Sequence, residues 1–355
     1  MCSYLHARPV EAIVEGVAPL DPTAGAVYHG GGATYAIGKG NRMDRNALLP
    51  AFVSGAVGLL GGVVGAAWYV SARVSPEPRR DFLYSYTFTP WELGVPFEEV
   101  SFTSADGLRL SGWWLPQEHA RGVIVGCHGH GGRKDDMLGI GTSIWRAGFS
   151  VLLFDFRGRG SSDPWPQTLV SREVEDLLAA VQFATTRASV AHLGVFGFSM
   201  GAAVALLAAA TEPRIAAVVA DSAFTSGSDV VAHNIRGSLG LPPEMLVVAA
   251  DEVVRLRHGY RFSQARPIDA VGRIAPRPLL IIHGEGDSMV PVEHAHQLYQ
   301  RAGEPRDLWI VPGVEHCGGY FLDRPAYCHR VITFFEQYLG SLEGEYGREA
   351  WFQSA

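Results

Sequence analysis

From residue 122 onward the chain alternates short apolar runs with helix-patterned segments, and this alternation constrains the fold most. The apolar runs are Gly122–Cys127, Ser150–Asp155, Leu193–Phe198, Ala216–Ala220, Leu279–His283 and Leu308–Val311; the helical patterns between and after them include Val170–Ala184, Met200–Ala210, Glu293–Arg301 and Ala326–Leu339. Strands that are apolar at every position, not at every second one, must be buried on both faces. Alternated with helices, they predict an α/β fold: a mostly parallel central sheet with helices on both faces. Upstream, Glu99–Thr103 and Leu108–Trp114 alternate in polarity around Ala105-Asp106-Gly107, which predicts an antiparallel hairpin at the sheet edge. Between Phe224 and Ile274 no strand is legible. Pro242-Pro243-Glu244 opens a helical pattern that Gly259 closes. This insertion, about 225–274, is expected to rise above the strand ends as a short helical cap.

The N-terminal region has a different texture. No charge occurs between Arg45 and Arg73, and a hydrocarbon core needs about 20 apolar residues at helical rise. A single transmembrane or signal-anchor helix is therefore expected over 47–72, with Trp68 and Tyr69 at its interfacial edge. Residues 1–46 then form a tail expected to be poorly ordered, 73–96 a linker, 97–340 the main domain and 341–355 a C-terminal tail. Cleavage after Val70-Ser71-Ala72 is the alternative, but the run is longer than a usual signal h-region. Met43 begins a stretch that reads like a natural start. Lys39, Arg42 and Arg45 before the helix balance Arg73, Arg79 and Arg80 after it, so charge selects no side of the membrane. Gly58/Gly62 and Gly61/Gly65 are small-residue pairs that suit a weak homodimer through this helix. Every motif with chemical content lies after Phe97, so the helix is expected to contribute nothing to the triad.

A net charge of -7 and the lack of any basic stripe argue against nucleic acid as a partner. Cys2, Cys127, Cys317 and Cys328 have no CxxC spacing. Cys127 reads as a small buried hydrophobe, while Cys317 and Cys328 remain open to pairing.

The chemistry centres on Gly197-Phe-Ser199-Met-Gly201, at the join of an apolar strand and an alanine-rich helix. A sharp strand-to-helix turn lifts a serine above the sheet, and close backbones require glycine on either side. The helix N-terminus then faces developing negative charge. Asp287, in His283-Gly-Glu-Gly-Asp287-Ser-Met-Val-Pro291, and His316, in Val314-Glu-His316-Cys-Gly-Gly319, each follow their own strand. The order Ser199, Asp287, His316 suits nucleophile, acid and base. Asp221 also ends a strand and stands as the alternative acid. The glycine-rich turn Cys127-His-Gly-His130-Gly-Gly132 suits an oxyanion hole made by the amides of His130 and Met200. No second ligand cluster follows His128 and His130, so no metal is expected.

These motifs resemble the α/β-hydrolase superfamily over roughly Phe97 to Gly340, with GFSMG and the HGxG turn similar to monoacylglycerol lipases and serine aminopeptidase-like hydrolases. The N-terminal helix followed by a capped domain is similar to membrane-anchored hydrolase-domain proteins. The resemblance implies a serine hydrolase without a cofactor, acting on carboxylic esters or thioesters, lipid-derived ones included. Asp155 and Arg157, in the loop after the fourth strand, are then expected to be structural. Met245 and Leu246 at the start of the cap helix are the expected acyl contacts. A serine peptidase on the same triad remains open, with Asp251 or Glu252 recognising a free amino terminus. So does a non-catalytic membrane-bound binding module.

Overall fold

The computed structural model describes residues 45–76, 88–188, 190, 192–237 and 242–340, with side chains of the first helix described from Leu60 onward. Residues 1–44 of the expected N-terminal tail, 77–87 of the expected linker and the expected C-terminal tail 341–355 lie outside them. Among the described residues eight strands form one sheet: β1 (Glu98–Thr103), β2 (Arg109–Leu115), β3 (Val123–Cys127), β4 (Ser150–Phe154), β5 (Leu193–Phe198), β6 (Ile215–Asp221), β7 (Leu279–Gly284) and β8 (Arg306–Val311). Their spatial order is β1-β2-β4-β3-β5-β6-β7-β8. The first two strands pair antiparallel, β2 joins β4 antiparallel, and every later pair is parallel.

The helices are α1 (Arg45–Val74), α2 (Leu138–Arg146), α3 (Glu173–Ala188), α4 (Met200–Ala209), α5 (Gly227–Ile235), α6 (Pro243–His258), α7 (Glu293–Arg301), α8 (Gly319–Leu322) and α9 (Arg324–Leu339). Alternate strand residues enter different cores, as a strand's period of two requires. Val123, Val125, Leu152 and Phe154 pack with α3, α4 and α7. Ile124, Val151, Leu153 and Phe196 pack with α2 and α9 on the other face. Burial on both faces is why these strands read as continuous apolar runs.

The cap is built from α5, α6 and short 3-10 turns before β7. Gly259 closes α6 in the left-handed conformation at φ 74°, which a Cβ would disfavour. Among the described residues no helix is long and apolar enough to cross a membrane. The end of α1 is not the start of a free linker either: Ala67, Val70, Ser71, Val74 and Ser75 are buried against the domain. Arg257 of α6 covers the Trp68 ring at 4.5 Å and donates to Ser71 Oγ at 3.0 Å. Toward the N-terminus of the described side chains, Leu60, Val64 and Trp68 are each more than half exposed at a spacing of four. Cys127 is buried, and Cys317 and Cys328 are free thiols.

Candidate active site

β5 runs into α4 through Ser199, whose φ of 52° and ψ of -117° lie in a region that costs a non-glycine residue about 1–3 kcal/mol. The Ser199 amide donates to the Asp221 carbonyl at 2.8 Å, which ties the turn to the end of β6. A Cβ on Gly197 would lie 2.4 Å from the Gly201 carbonyl oxygen, and one on Gly201 would lie 2.3 Å from that of Cys127. Both contacts are with backbone, so neither position has room for a side chain.

Asp287 and His316 come from the loops after β7 and β8. The imidazole Nε2 lies 2.9 Å from Ser199 Oγ, and Nδ1 lies 2.7 Å from Asp287 Oδ2. A carboxylate only accepts, so Nδ1 carries the proton and Nε2 is free to accept from the serine. Burial raises the Asp287 pKa, but hydrogen bonds from His283, His316 and the Val290 amide outweigh it and hold the carboxyl below its ordinary range. Sequence reasoning gave His283 no role. Its Nε2 donates to the Val290 carbonyl at 2.7 Å and sits 3.3 Å from Asp287 Oδ2, so it supports the carboxylate from behind.

Asp221 is arranged differently. It is buried, and it accepts from Tyr327 at 2.5 Å and from Ser222 at 2.9 Å. Burial raises its pKa. His316 turns its Nδ1 toward Asp287 instead.

The loop after β3 carries His130. His128 accepts from the Phe156 amide through Nε2 at 3.0 Å and donates from Nδ1 to the Gly129 carbonyl at 2.8 Å. Both ring nitrogens are occupied, which leaves His128 no lone pair for a metal. The remaining loop groups are also taken. The Gly131 amide donates to Gln167 Oε1 at 2.9 Å, the Gly132 amide to the Gly129 carbonyl at 3.1 Å, and Arg159 to the Gly131 and Gly132 carbonyls. The amides of His130 and Met200 have no acceptor among the described residues. The His130 ring donates from Nε2 to the Val74 carbonyl at 3.1 Å. That contact ties α1 to an expected oxyanion-donor residue, while Ser199, Asp287 and His316 all lie outside the helix. A helix leaves its last carbonyls unpaired, and one of them is used here.

Gln167 is also absent from the sequence reading. Its Nε2 is buried without a partner among the described residues, at a cost of about 1–3 kcal/mol. The Gly131 N–H fixes the amide orientation, since a flip would set two donors against each other.

Asp155 and Arg157 brace their loop, as the resemblance implies. Asp155 pairs with Lys134 at 2.5 Å, and Arg157 is fully buried between Asp176 and Asp106. Leu246 needs correction. It is 0% exposed, so no acyl chain reaches it in this arrangement; its i+4 and i+8 neighbours Ala250 and Val254 face inward too. Met245, one residue earlier, is 42% exposed. The two cap carboxylates are committed elsewhere. Asp251 accepts from Arg261 and Ser263, and Glu252 pairs with Arg255 and Arg261.

A family model described as serine aminopeptidase, S33, matches residues 118–271. The chain belongs to the α/β-hydrolase superfamily and is a hydrolase of esterase-like fold. It is 32% identical to the uncharacterised protein Rv2307c of Mycobacterium tuberculosis (strain H37Rv) over 233 residues, 63% of this chain and 74% of that one. It is 29% identical to the uncharacterised protein YfhR of Escherichia coli (strain K12) over 257 residues, 69% of this chain and 81% of that one. In fold it is similar to the Pyrococcus furiosus esterase Pf2001, with a TM-score of 0.61 and 24% identity over 74% of this chain and 99% of that one.

Proposed function

We propose that the chain is a serine hydrolase that cleaves carboxylic esters or thioesters through an acyl-enzyme and is held at a membrane by its N-terminal helix. The observation that carries the reading is the hydrogen-bonded line Ser199–His316–Asp287 beside two unengaged amides. His316 takes the Ser199 proton as Oγ attacks the acyl carbon. The oxyanion is received by the His130 and Met200 amides, and His316 returns the proton to the leaving oxygen or sulfur. Water activated by the same imidazole then releases the acid. Asp287 keeps the proton on Nδ1 and steadies the imidazolium. No cofactor enters these steps.

The peptidase reading draws on the family model's description. The pairing of Asp251 and Glu252 with arginines counts against their recognising a free amino terminus. The anchor reading rests on the uncharged stretch 46–72 and on the exposed apolar residues Leu60, Val64 and Trp68 within it.

Labelling by a fluorophosphonate tests the chemistry: wild type should label and Ser199→Ala should not, and equal labelling of both would reject the assignment. A wild type that does not label favours the binding module. A panel of p-nitrophenyl esters, thioesters and aminoacyl amides tests the substrate. Turnover efficiency should rise from acetate to a medium acyl chain, with Met245 among the contacts, and a preference for aminoacyl amides would promote the peptidase. Full-length chain should stay with membranes through an alkaline wash; its recovery in the supernatant would remove the anchor.

A further inference from the structure

The end of α1 and the oxyanion-side loop share one polar seam. The Val74 carbonyl accepts from the His130 ring at 3.1 Å. One residue on, Ser75 Oγ hydrogen-bonds the Tyr260 hydroxyl of the cap. That hydroxyl donates its single proton to the backbone carbonyl of Gln167 at 3.3 Å, so Ser75 is the donor to Tyr260. Gln167 in turn accepts from the Gly131 amide at 2.9 Å. Ser75 and Gln167 are 0% and 1% exposed, and Tyr260 is 6% exposed, so water does not compete for these bonds.

Residue 130 is thus gripped twice, through its ring and through the peptide that follows it. Its own N–H is the group left over. Gln167 holds its grip although Nε2 goes unpaired in the interior, an arrangement that stability alone would not favour.

We propose that the C-terminal turn of α1, acting through Val74 and through Ser75, Tyr260 and Gln167, is a positioning element that sets the direction of the His130 N–H. This rests on the serine-hydrolase reading, in which that N–H receives the oxyanion. These residues touch neither substrate nor reacting atoms. They act by fixing where a donor points, and a donor misdirected by a fraction of an ångström loses more transition-state than ground-state stabilisation.

The test uses the full-length chain in detergent with a p-nitrophenyl ester. Gln167→Ala should lower kcat roughly tenfold with KM little changed, because the lost stabilisation belongs to the transition state. Affinity for a boronate that mimics the tetrahedral intermediate should fall by a similar factor, a readout that simple loosening of the fold would not move. Gln167→Glu keeps an acceptor for Gly131 and should recover most of kcat. Tyr260→Phe removes one oxygen and should cost a few-fold; it decides the matter if Gln167→Ala does not fold. Wild-type kcat in both Gln167→Ala and Tyr260→Phe, with Ser199→Ala inactive, would overturn the positioning role and leave the triad standing. Full activity in Ser199→Ala would overturn the hydrolase reading itself.

Discussion

The two halves of the site are held together by different means. On the acid–base side, the loops after β7 and β8 are neighbours because the strands are. The Gly286 amide donates to the Val314 carbonyl at 2.9 Å, and Ser288 bonds Glu315 through both its amide and its hydroxyl. Cap helix α5 adds His233 and Asn234, which donate to the Ser288 and Met289 carbonyls. On the oxyanion side, the loop after β3 depends on Gln167, 36 residues away, and on Val74, 56 residues away. Sheet pairing builds the first half; the second is completed by an element outside the sheet. The proposed proton-transfer pair thus hangs on neighbouring strands, while the ring of the proposed donor residue His130 is bonded to the N-terminal helix.

Substitutions can weigh one half against the other. Ser199→Ala removes the group that both halves serve and should cost at least about 10⁴ in turnover, measured on a p-nitrophenyl ester. Asp287→Asn should approach that loss, on the order of 10⁴, by favouring the wrong imidazole tautomer. Asp221→Asn should act mainly on stability, since Tyr327 and Ser222 already engage its carboxyl; a larger kinetic loss there than at Asp287 would exchange the two roles. On the oxyanion side, a chain beginning at Leu60 should match full length in kcat per titratable serine. One beginning at Pro76 lacks Val74 and Ser75 and should lose roughly tenfold. Equal rates would return the helix to a bystander.

The smallest effect is one of pH. The folded-state pKa of Asp287 lies below its ordinary value near 4, so its contribution to stability is complete above that pH and is lost as pH falls toward the folded value. Thermal midpoints of the wild type should therefore drop more steeply below about pH 4 than those of Asp287→Asn.

Legibility in the sequence follows the same division. β5 was read at Leu193–Phe198 and α7 at Glu293–Arg301 with the bounds the structure has, because unbroken apolar runs and a strong helical period carry their own signal. Ser199, Asp287 and His316 were readable since each stands at the end of such a run. α2 was not assigned, as Gly139 and Gly141 weaken helix propensity; a Cβ on Gly141 would lie 2.9 Å from Leu153, which explains the residue by packing that no local window contains. Gln167 sits in a proline-bounded loop without periodicity, and its partner is set by tertiary structure alone. Leu246 stands at the start of the cap helix, where an acyl contact is expected, but it faces the interior, and only the fold tells an inward apolar side chain from a substrate-lining one.

The spacing of the site along the chain has a consequence for biosynthesis. Ser199 leaves the ribosome 117 residues before His316, and β8, which delivers that imidazole, is the last strand of the sheet to be made. Throughout that interval the serine has no base to take its proton. Under the proposed mechanism, a growing or prematurely terminated chain therefore carries Ser199 in an inert form, and hydrolytic competence arrives only with the loop that follows β8, the last strand among the described residues.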